Sequence, residues 1–334
     1  MKMNSQAPLV SITLAAYNVE NFLSDSLDSI VNQTYKDIEI ICIDDGSSDA
    51  TLDILKKLER KDERVRVISN SSNKGLAYCR NMSLSEAKGE YVMFVDGDDV
   101  MSLDLVTSAV NLAEKEQSDM VMWDYVTFIH NDEIIAKAAT QTTLEVDKVT
   151  NKEYLLRRPA FTWTKLIRTK KARELGIHFP LGLTRQDIPV HWHLITQLDK
   201  IALLGEVLSF YRQQPDATTH QSDRRVFDLL KVMGITQTYL KKSKLFERYK
   251  ELFLETQINF MFGMYDKAQK SLKIEALQII QSTLTPLHWN YINSASQLRW
   301  QAREYFKMLN GSILSTIKYY AWKLTRHCYR ILKE

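Results

Sequence analysis

Glycine is scarce in this chain, with 10 among 334 residues, which is about half its usual share. Neither G-x-G-x-x-G nor G-x-x-x-x-G-K-S/T occurs in the sequence. Loops of these two kinds bring backbone N–H groups against the phosphates of dinucleotides and nucleotides. Their absence argues against a dinucleotide-dependent oxidoreductase and against a P-loop ATPase.

Cysteine and long apolar runs are scarce as well. The three cysteines, Cys42, Cys79 and Cys328, form no C-x-x-C pair and no zinc-binding spacing. Because their number is odd and two of them lie in apolar segments, we expect free thiols in a reducing compartment such as the cytoplasm. The N-terminal segment is short and polar and no run of about 20 residues lacks charge, so neither a signal peptide nor a transmembrane helix is expected.

The net charge of +3 hides an uneven distribution. Residues 1–240 hold 28 basic and 34 acidic side chains, whereas residues 241–334 hold 16 basic and 7 acidic ones. A basic tail after an acidic body favours an anionic partner, either a membrane or a nucleic acid. A solvated helical face would account for the same composition.

The N-terminal third alternates strand-like and helix-like segments. Four apolar, β-rich runs predict strands: Leu9–Ala15, Ile38–Ile43, Val65–Ile68 and Tyr91–Val95. Helices are predicted between them, with Asn18 and Asp49 as N-caps of the first two and with the third over Leu76–Ala87. Near-continuous apolar strands that alternate with helices predict an α/β fold with a mainly parallel sheet flanked by helices.

Beyond Met120 the pattern is looser. Three further runs are strand-like: Met120–Ile129, Phe161–Ile167 and Ala202–Tyr211. From about residue 220 onward the sequence predicts helices rich in Lys, Tyr, Leu and Phe.

The strongest local signal is Asp96–Gly97–Asp98–Asp99, directly after the fourth predicted strand. Ligands of parallel sheets bind beyond the carboxyl ends of the strands. Three carboxylates so close together repel one another unless a cation or hydrogen-bond donors offset their charge, and a Mg²⁺ ion that bridges a diphosphate supplies such an offset. Gly97 lets the backbone turn without crowding a ligand. The alternative is a solvated turn in which Asp99 or Ser102 caps the next helix.

Two more polar segments carry candidate chemistry. Asp44–Asp45–Gly46–Ser47 follows the second predicted strand, where a carboxylate can accept a hydrogen bond from a base N–H or a ribose hydroxyl; a turn followed by a helix cap is the simpler interpretation. Gln186–Asp187 begins a helix-like run, and Asp187 is either a cap or a general base near a bound acceptor. His191 and His193 are two positions apart and so do not share a helix face, which argues against a His–His metal site.

Trp163 and Lys165 lie in the strand-like run Phe161–Ile167. Two interpretations fit the pair equally well. Trp163 packs in the core and Lys165 is a surface charge, or Trp163 lies beside a polar cleft and stacks on a sugar. The segment 312–333 is amphipathic, with Ile317 and Leu324 in its apolar stripe and Lys318 and Arg330 on the opposite side. That pattern favours a helix lying on an anionic membrane surface, and a helix packed on the body is the alternative.

The quoted motifs, taken together, resemble the bacterial family 2 glycosyltransferases with a GT-A fold. The resemblance rests on segments in the family's order and spacing: VSITLAAYN (10–18), SIVNQTYKDIEIICIDDGSSD (29–49), NKGLAYCRN (73–81) and KGEYVMFVDGDD (88–99). Looser matches follow in FTWTKLIRTK (161–170), in Gln186–Asp187 and in FYRQQPDATTH (210–220), so that the resemblance covers about residues 8–220.

The resemblance implies an inverting transferase that uses a nucleotide-diphosphate sugar with Mg²⁺ or Mn²⁺. The residues that would bind the nucleotide sugar are Ala15, Tyr17, Asp44, Asp45, Arg80, Asp96 and Gly97. Asp98, with Asp96 and weakly His220, would hold the metal in the D-x-D motif, Asp187 would be the catalytic base, and Trp163 with Lys165 would meet the acceptor. The chain departs from the family in having Gln186 where Glu is usual and Cys79 where Ala is usual.

The expected organisation is a glycosyltransferase domain over residues 1–220 and a helical extension over 221–334. Within the first domain, about 1–120 would bind the nucleotide and 121–220 the acceptor. The acceptor would be a glycan or a lipid-linked saccharide of cell-surface polysaccharide or lipooligosaccharide synthesis, met at the inner face of the cytoplasmic membrane. Two alternatives are a metal-dependent sugar nucleotidyltransferase, which the loop Ala15–Asn18 argues against because it lacks Gly, Lys and Arg, and a non-catalytic membrane-associated module. Nucleic-acid binding is disfavoured because the nucleotide-facing half is acidic.

Overall fold

The structure is a computed structural model that describes residues 7–138, 141–214, 222–312, 314–315, 317–320 and 323. The chain divides into two compact units, Met1–Thr218 and Thr219–Glu334. Each unit has its own architecture: the first contains a sheet with helices, and the second is helical in its described residues.

The first unit is built on eight strands. They are β1 Val10–Ala16, β2 Ile38–Asp44, β3 Val65–Ser69, β4 Tyr91–Asp96, β5 Val100–Met101, β6 Met120–Phe128, β7 Lys165–Arg168 and β8 Ile201–Arg212. Its helices are α1 Glu20–Val31, α2 Thr51–Glu59, α3 Leu76–Glu86, α4 Leu105–Glu116, α5 Glu133–Ala138, α6 Lys152–Arg157, α7 Thr169–Glu174 and α8 Asp187–Gln197.

The strand order in the sheet is β3-β2-β1-β4-β7-β6-β8-β5. The four N-terminal strands pair in parallel, as the alternating pattern predicts. β7 then runs antiparallel to both of its neighbours, and β5 runs antiparallel to β8, whereas β6 and β8 are parallel. The α/β class is therefore confirmed, and the sheet is mixed because its second half contains antiparallel pairs.

The core lies where the sequence pattern places it. Ile12 and Leu14 of β1 and Ile40 of β2 are 0% exposed, because a parallel sheet with helices on both faces buries alternate side chains on either side. Helix α1 contributes Leu23 and Ile30, which are also 0% exposed. The cysteines Cys42 and Cys79 are free and buried, as expected, and Cys328 lies outside the described residues.

Two local predictions were wrong. Asn18 does not cap α1, because the helix begins at Glu20 and the Asn18 backbone is left-handed, with φ of 52°. The Asn18 Oδ1 atom instead accepts a hydrogen bond from the N–H of Ser48, 2.8 Å away. The run Phe161–Ile167 is not a strand throughout, because Thr162–Thr164 forms a 3₁₀ turn and β7 begins only at Lys165.

The cap predicted for the second helix is present in a modified form. Asp49 Oδ1 accepts from the N–H of Thr51, the first residue of α2, at 3.0 Å. Its other oxygen accepts from the N–H of Glu20, the first residue of α1, at 3.1 Å. In return, the Glu20 carboxylate accepts from the N–H of Ala50 at 2.8 Å. One carboxylate thus serves the N-termini of two helices, which fixes their starts beside the edge of the sheet.

The second unit contains five α-helices among its described residues, as the sequence predicts for this part of the chain. They are α9 Asp228–Lys242, α10 Phe246–Lys267, α11 Lys273–Thr283, α12 Pro286–Ser294 and α13 Trp300–Leu309. No helix in the described part of the chain combines the length and the apolarity needed to cross a bilayer.

Most of the amphipathic segment 312–333 lies outside the described residues. In the part that is described, Ser315 and Tyr319 are buried. Leu314, Ile317 and Tyr320 are 62%, 62% and 54% exposed. The described turns of this segment therefore present apolar side chains to solvent.

Candidate active site

The two acidic turns flank the end of β1. In the sheet register, Ala16 of β1 lies opposite Asp44 of β2, and Ala15 lies opposite Asp96 of β4. Both turns are thus at the carboxyl edge of the parallel strands, where ligands of such sheets bind. Beside them, Tyr17, one of the residues expected to bind the nucleotide sugar, is 46% exposed.

The carboxylates of the first turn are occupied by the protein's own donors. Asp45 is 3% exposed, and it accepts from Asn70 Nδ2 at 2.8 Å and from the N–H groups of Lys74 and Gly75 at 2.9 and 2.7 Å. Asp44 accepts more weakly, from the N–H of Ser47 at 3.3 Å and from the Ser69 hydroxyl at 3.1 Å. This turn therefore holds the loop that leads into α3. A contact of Asp45 with a nucleotide base stays a prediction.

Two glycines shape these turns for different reasons. Gly46 has φ of 73°, and a Cβ there would lie 2.7 Å from the backbone of Ser72. Gly97 donates to the Ala15 carbonyl at 3.2 Å, and a Cβ there would lie 3.2 Å from Val19 and 3.3 Å from that carbonyl oxygen. Gly97 therefore lets the second turn approach the end of β1 closely, and the neighbours that require its small size are the Val19 side chain and the Ala15 carbonyl.

In the second acidic turn, the Asp98 and Asp99 carboxylates receive few hydrogen bonds from the protein. Asp98 accepts from Gln214 Nε2 at 2.7 Å, and burial, followed by the nearby charge of Asp96, raises its pKa to about 6. Asp99 is 5% exposed; one of its oxygens accepts from the Arg212 N–H at 2.9 Å, and its other oxygen is buried without a hydrogen-bond partner in the described residues. Burial raises the pKa of Asp99 well above its usual value. The proposal that Asp99 or Ser102 caps the next helix is wrong, since α4 begins at Leu105 and neither side chain caps it.

Such a turn suits a divalent cation. Asp98 combines a desolvated carboxylate with a close acidic neighbour, so a positive charge there lowers its free energy. Among the described residues, no group of three His, Cys, Asp or Glu side chains could hold a metal by itself. Asp98 and Asp96 therefore fit an ion that takes most of its ligands from a diphosphate and water, which is the way Mg²⁺ is usually bound. His220, the weak third ligand, lies outside the described residues.

Arg212 holds this turn and was missed by the sequence reasoning. Its Nε donates to the Asp98 carbonyl at 2.9 Å, and its Nη2 pairs with Asp25 at 2.9 Å. The guanidinium lies over the rings of Phe22 and Phe128, at 5.1 and 4.6 Å. In the sequence, Arg212 stands at the end of the apolar run of β8 and within the segment FYRQQPDATTH, and neither feature distinguishes it from a surface cation.

Arg80 joins the second turn to the predicted base. The Arg80 side chain is 3% exposed. Its Nη2 lies 2.9 Å from Asp96 Oδ1, and its Nη1 makes a short contact with Asp187 Oδ1. Asp187 is the first residue of α8, and within the described part of the chain its Oδ2 accepts one long hydrogen bond, 3.3 Å, from the N–H of Thr162. One buried cation therefore fixes Asp187 through one oxygen and leaves the other oxygen more open.

The prediction that Arg80 binds the nucleotide sugar is untested by this geometry. Both of its observed partners are carboxylates of the protein. Gln186, which precedes the base, is 4% exposed, and its Oε1 has no hydrogen-bond partner among the residues described.

Four aromatic side chains pack beside Asp187. Phe161 and Trp163 stack with centroids 4.8 Å apart, Tyr125 meets both rings edge-on at 5.3 and 5.0 Å, and Tyr211 lies 6.0 and 5.5 Å from them. Trp163 is 6% exposed, whereas the other three keep part of their surface accessible. We call these four residues the aromatic cluster.

Lys165 lies beneath the aromatic cluster and is 1% exposed. Its ammonium donates to the Phe161 carbonyl. Burial lowers the pKa of Lys165 to about 7, although the Asp187 charge opposes that shift. A contact of Trp163 or Lys165 with an acceptor stays a prediction, and this burial leaves Lys165 little surface with which to make one.

A cavity of about 500 Å³ opens next to the aromatic cluster. Its lining includes Tyr125, Thr127, Pro159 and the ion-paired residues Asp124 and Arg158. Asp124 is 4% exposed and anchors Thr143 by accepting from its N–H and its hydroxyl, both at 2.6 Å. The cavity thus has fixed polar walls and one aromatic edge, a combination that suits a saccharide.

The histidines of α8 are not metal ligands in this arrangement. His191 is 1% exposed, and its Nε2 lies 3.1 Å from the Leu155 carbonyl. Burial lowers the pKa of His191 well below its usual value, and burial also lowers that of His193. A neutral, buried His191 is a packing residue, in agreement with the sequence argument against a His–His site.

Three proteins with similar sequences carry the names of glycosyltransferases. The chain is 28% identical over 245 residues to the glycosyltransferase GlyG of Streptococcus pneumoniae, which covers 70% of this chain and 79% of the relative. It is 36% identical over 174 residues to the poly(ribitol-phosphate) β-glucosyltransferase of Bacillus spizizenii, covering 51% of this chain and 27% of the relative. It is 42% identical over 109 residues to the Escherichia coli enzyme WfaP, a UDP-Glc:α-D-GlcNAc-diphosphoundecaprenol β-1,3-glucosyltransferase, covering 33% and 43%.

Solved structures share the fold. Residues 1–349 of S. aureus TarS in complex with UDP-GlcNAc match with a TM-score of 0.58 and 18% identity, covering 90% of this chain and 92% of that one. The mannosyltransferase PcManGT of Pyrobaculum calidifontis in complex with GDP-Man and Mn²⁺ matches with a TM-score of 0.57 and 15% identity, covering 94% and 88%. The fold of these glycosyltransferases is the GT-A type that the motifs implied.

The family assignment rests on the first unit, which contains both acidic turns and the Arg80 bridge. Residues 11–180, half of the chain, match Glycosyl transferase family 2. Together with the motifs, the sheet and the relatives, this match shows that the chain is a glycosyltransferase and belongs to glycosyl transferase family 2.

Proposed function

We propose that the first unit is an inverting glycosyltransferase domain that moves a sugar from a nucleoside diphosphate to a hydroxyl of a glycan or lipid-linked acceptor. The observation that carries the proposal is the Arg80 bridge between Asp96 and Asp187. It sets two carboxylates of different surroundings on either side of one buried cation. One of them belongs to the second acidic turn, and the other has an oxygen that Arg80 does not contact.

The donor is assigned to the carboxyl edge of β1, β2 and β4. The solved neighbours carry UDP-GlcNAc and GDP-Man, which supports a nucleotide sugar as ligand there. The nucleotide base of the donor would lie near Ala15 and Tyr17.

A divalent cation, Mg²⁺ or Mn²⁺, would be held by Asp98 with Asp96, and one neighbour in the comparison contains Mn²⁺. Such an ion, when bound, offsets the charge of the departing diphosphate. The contribution of the chain itself is positional. Arg212 fixes the Asp98 backbone and Gln214 fixes the Asp98 carboxylate, so the turn is oriented before a ligand arrives.

The transfer is a single displacement. The acceptor hydroxyl oxygen forms a bond to the anomeric carbon while the bond from that carbon to the diphosphate oxygen breaks, and the nucleoside diphosphate leaves with the bonding electrons. Asp187 Oδ2 takes the hydroxyl proton, because Oδ1 is engaged by Arg80. Attack from the face opposite the leaving group inverts the anomeric centre.

The acceptor is assigned to the aromatic cluster and the adjoining cavity. Aromatic faces beside a general base suit the apolar face of a sugar ring. Two relatives act on phosphate-bearing acceptors, poly(ribitol-phosphate) and GlcNAc-diphosphoundecaprenol, according to their names. An acceptor of this class, used in cell-surface polysaccharide synthesis, fits the chain best.

The test is a hydrolysis screen of nucleotide sugars in the presence of Mn²⁺, with release of nucleoside diphosphate as the readout. Wild type should turn over at least one donor, while Asp98→Asn and Asp187→Asn should lose 10²-fold or more, which is about the range for a lost catalytic group. Asp62→Asn is the matched control, because Asp62 pairs with Arg64 outside the site. No hydrolysis and no binding of any donor by wild type contradicts the proposal, and release of pyrophosphate instead indicates a nucleotidyltransferase.

We also propose that the second unit attaches to the anionic inner face of the cytoplasmic membrane through the segment 312–333. The basic excess of residues 241–334, with 16 basic and 7 acidic side chains, supports this, and so do the exposed Leu314 and Ile317. Sedimentation with phosphatidylglycerol vesicles should fall for the double change Leu314→Ser and Ile317→Ser. Ile274→Ser is the control, since Ile274 is 72% exposed on α11. Equal binding to phosphatidylcholine vesicles argues against the proposal.

A further inference from the structure

Among the described residues, no carboxylate pairs with Arg185, a cation close to the predicted catalytic base. Arg185 is partly buried and precedes Asp187 by two positions. The side chain forms no ion pair with any residue that the structure describes. Burial lowers the pKa of Arg185, and the Tyr211 hydroxyl acts in the opposite direction.

Four other cations of this region pair with carboxylates of the protein, whereas the buried Lys165 contacts a carbonyl oxygen. Their partners are Asp96 and Asp187 for Arg80, Asp25 for Arg212, Asp124 for Arg158 and Glu133 for Lys137. A guanidinium that is removed in part from water and lacks a carboxylate is unfavourable unless an anion reaches it. Its planar donors match phosphate oxygens two at a time.

The backbone holds Arg185 in an unusual conformation. Its φ is 58°, in the left-handed region that side chains other than glycine seldom occupy. Its carbonyl accepts from the N–H of Ile188 at 3.1 Å, so the strained residue is locked into the turn that begins α8. Strain of this kind persists where the surrounding structure imposes it, and it is common at ligand sites.

The position of Arg185 favours the acceptor over the donor. Its electrostatic neighbour is Tyr211, a member of the aromatic cluster. The cluster also contains Phe161 and Trp163, and the intervening Thr162 N–H contacts Asp187. The turn that contains Arg185 begins α8, and its neighbour Asp187 meets the aromatic cluster through Thr162. On the donor side, in contrast, Asp98 is contacted by Gln214 and Arg212.

We propose that Arg185 binds a phosphate group of the acceptor, so that the acceptor sugar lies on the aromatic cluster with its hydroxyl toward Asp187. The inference rests on the proposed function in assigning Asp187 as the base. It goes further in naming a residue that selects phosphate-bearing acceptors over neutral glycans. Binding energy from this remote phosphate would position the hydroxyl for attack.

The experiment compares two small probes, octyl phosphate and octyl β-glucoside, by NMR titration of the full chain in EDTA. Without a divalent ion the acidic turns repel phosphate, so binding there does not interfere. Arg185→Gln should weaken octyl phosphate about 10-fold, the effect expected for one charged hydrogen-bonded contact, and leave octyl β-glucoside within 2-fold. Arg185→Lys should fall between, because it keeps the charge and loses the planar pair of donors.

Lys170→Gln is the matched control, because Lys170 is 82% exposed and the change removes the same charge. Equal affinity of wild type and Arg185→Gln for octyl phosphate overturns the proposal. A donor-side role is shown instead if Arg185→Gln raises the KM of nucleotide-sugar hydrolysis while octyl phosphate binding is unchanged. Because the probe titration needs no donor, a negative hydrolysis screen contradicts the proposed function without deciding this inference.

Discussion

The two acidic turns at the carboxyl edge of the sheet have similar sequences, D-D-G-S after β2 and D-G-D-D after β4, but their carboxylates have different surroundings. Three protein donors surround Asp45. Asp98 has one side-chain donor and an acidic neighbour, and its pKa is raised to about 6 by burial and by Asp96. The carboxylates of the first turn therefore hold the loop that leads into α3. The second turn keeps negative charge that a bound cation can neutralise. A carboxylate with a shifted pKa in a cleft is a better indicator of function than an acidic motif alone.

The largest effect on stability is expected from Arg80, whose charge neutralises Asp96 of the second turn. Arg80→Met leaves Asp96 and Asp187 partly buried without their shared cation, so the free energy of unfolding should fall by about 3–5 kcal/mol. Transfer should fall about 10²-fold or more, because Asp187 loses its position. Urea unfolding and turnover of the donor found in the screen measure the two effects. Arg66→Met removes an ion pair whose partners are 39% and 42% exposed and should cost less than about 1 kcal/mol; equal losses in the two variants would contradict the role given to Arg80.

The first turn should be sensitive to shape rather than charge. Gly46→Ala combines a positive φ with a Cβ 2.7 Å from the Ser72 backbone, and it should cost about 2–4 kcal/mol in the free energy of unfolding. Gly182→Ala carries the same kind of φ, 69°, with no atom within 4 Å of the new Cβ, and it should cost about 1 kcal/mol. Urea unfolding of both variants separates the close contact from the backbone conformation. A similar cost for the two would show that Ser72 can move away.

A direct comparison of the turns replaces one carboxylate in each with an amide. Asp45→Asn turns an NH₂ group toward donors that include the N–H of Gly75, and it should lower the free energy of unfolding by about 1–3 kcal/mol. Asp98→Asn removes a desolvated charge beside Asp96, so in EDTA its stability should equal or exceed that of wild type. Chemical unfolding at neutral pH decides the matter, and the comparison fails if Asp98→Asn proves the more destabilising change.

Local sequence patterns predicted the sheet well and its long-range ion pairs poorly. The apolar runs of β1, β2 and β4 and the position of Asp187 at a helix start follow from composition and motif over short windows. Arg80 pairs with a carboxylate 107 positions away, and no local periodicity records such a partner. Arg212 and Arg185 were missed for the same reason, because their importance depends on which groups surround them in space.

The errors within single segments have local physical causes. The run Phe161–Ile167 has strand-like composition, yet packing of Phe161, Trp163 and Tyr125 against one another accompanies a 3₁₀ turn at its start. Asn18 is a good N-cap by propensity, but its side chain is used by Ser48 of the neighbouring loop. In both places a tertiary contact overrides the local preference.

The two buried cations of the site differ in the same way as the turns. Arg80 pairs with two carboxylates, whereas Lys165 donates to one carbonyl oxygen. Burial lowers the pKa of Lys165 to about 7, so above that pH the unfolded chain binds a proton that the folded chain has released. Stability therefore rises with pH in this window. Between pH 7.5 and 8.5 the unfolding free energy of wild type should rise by about 1 kcal/mol relative to Lys165→Met, since a full proton difference is worth about 1.4 kcal/mol per pH unit. Lys170→Met, at a site that is 82% exposed, should leave the pH dependence of wild type unchanged, and parallel curves for wild type and Lys165→Met would show that the Lys165 ammonium stays charged in the folded protein.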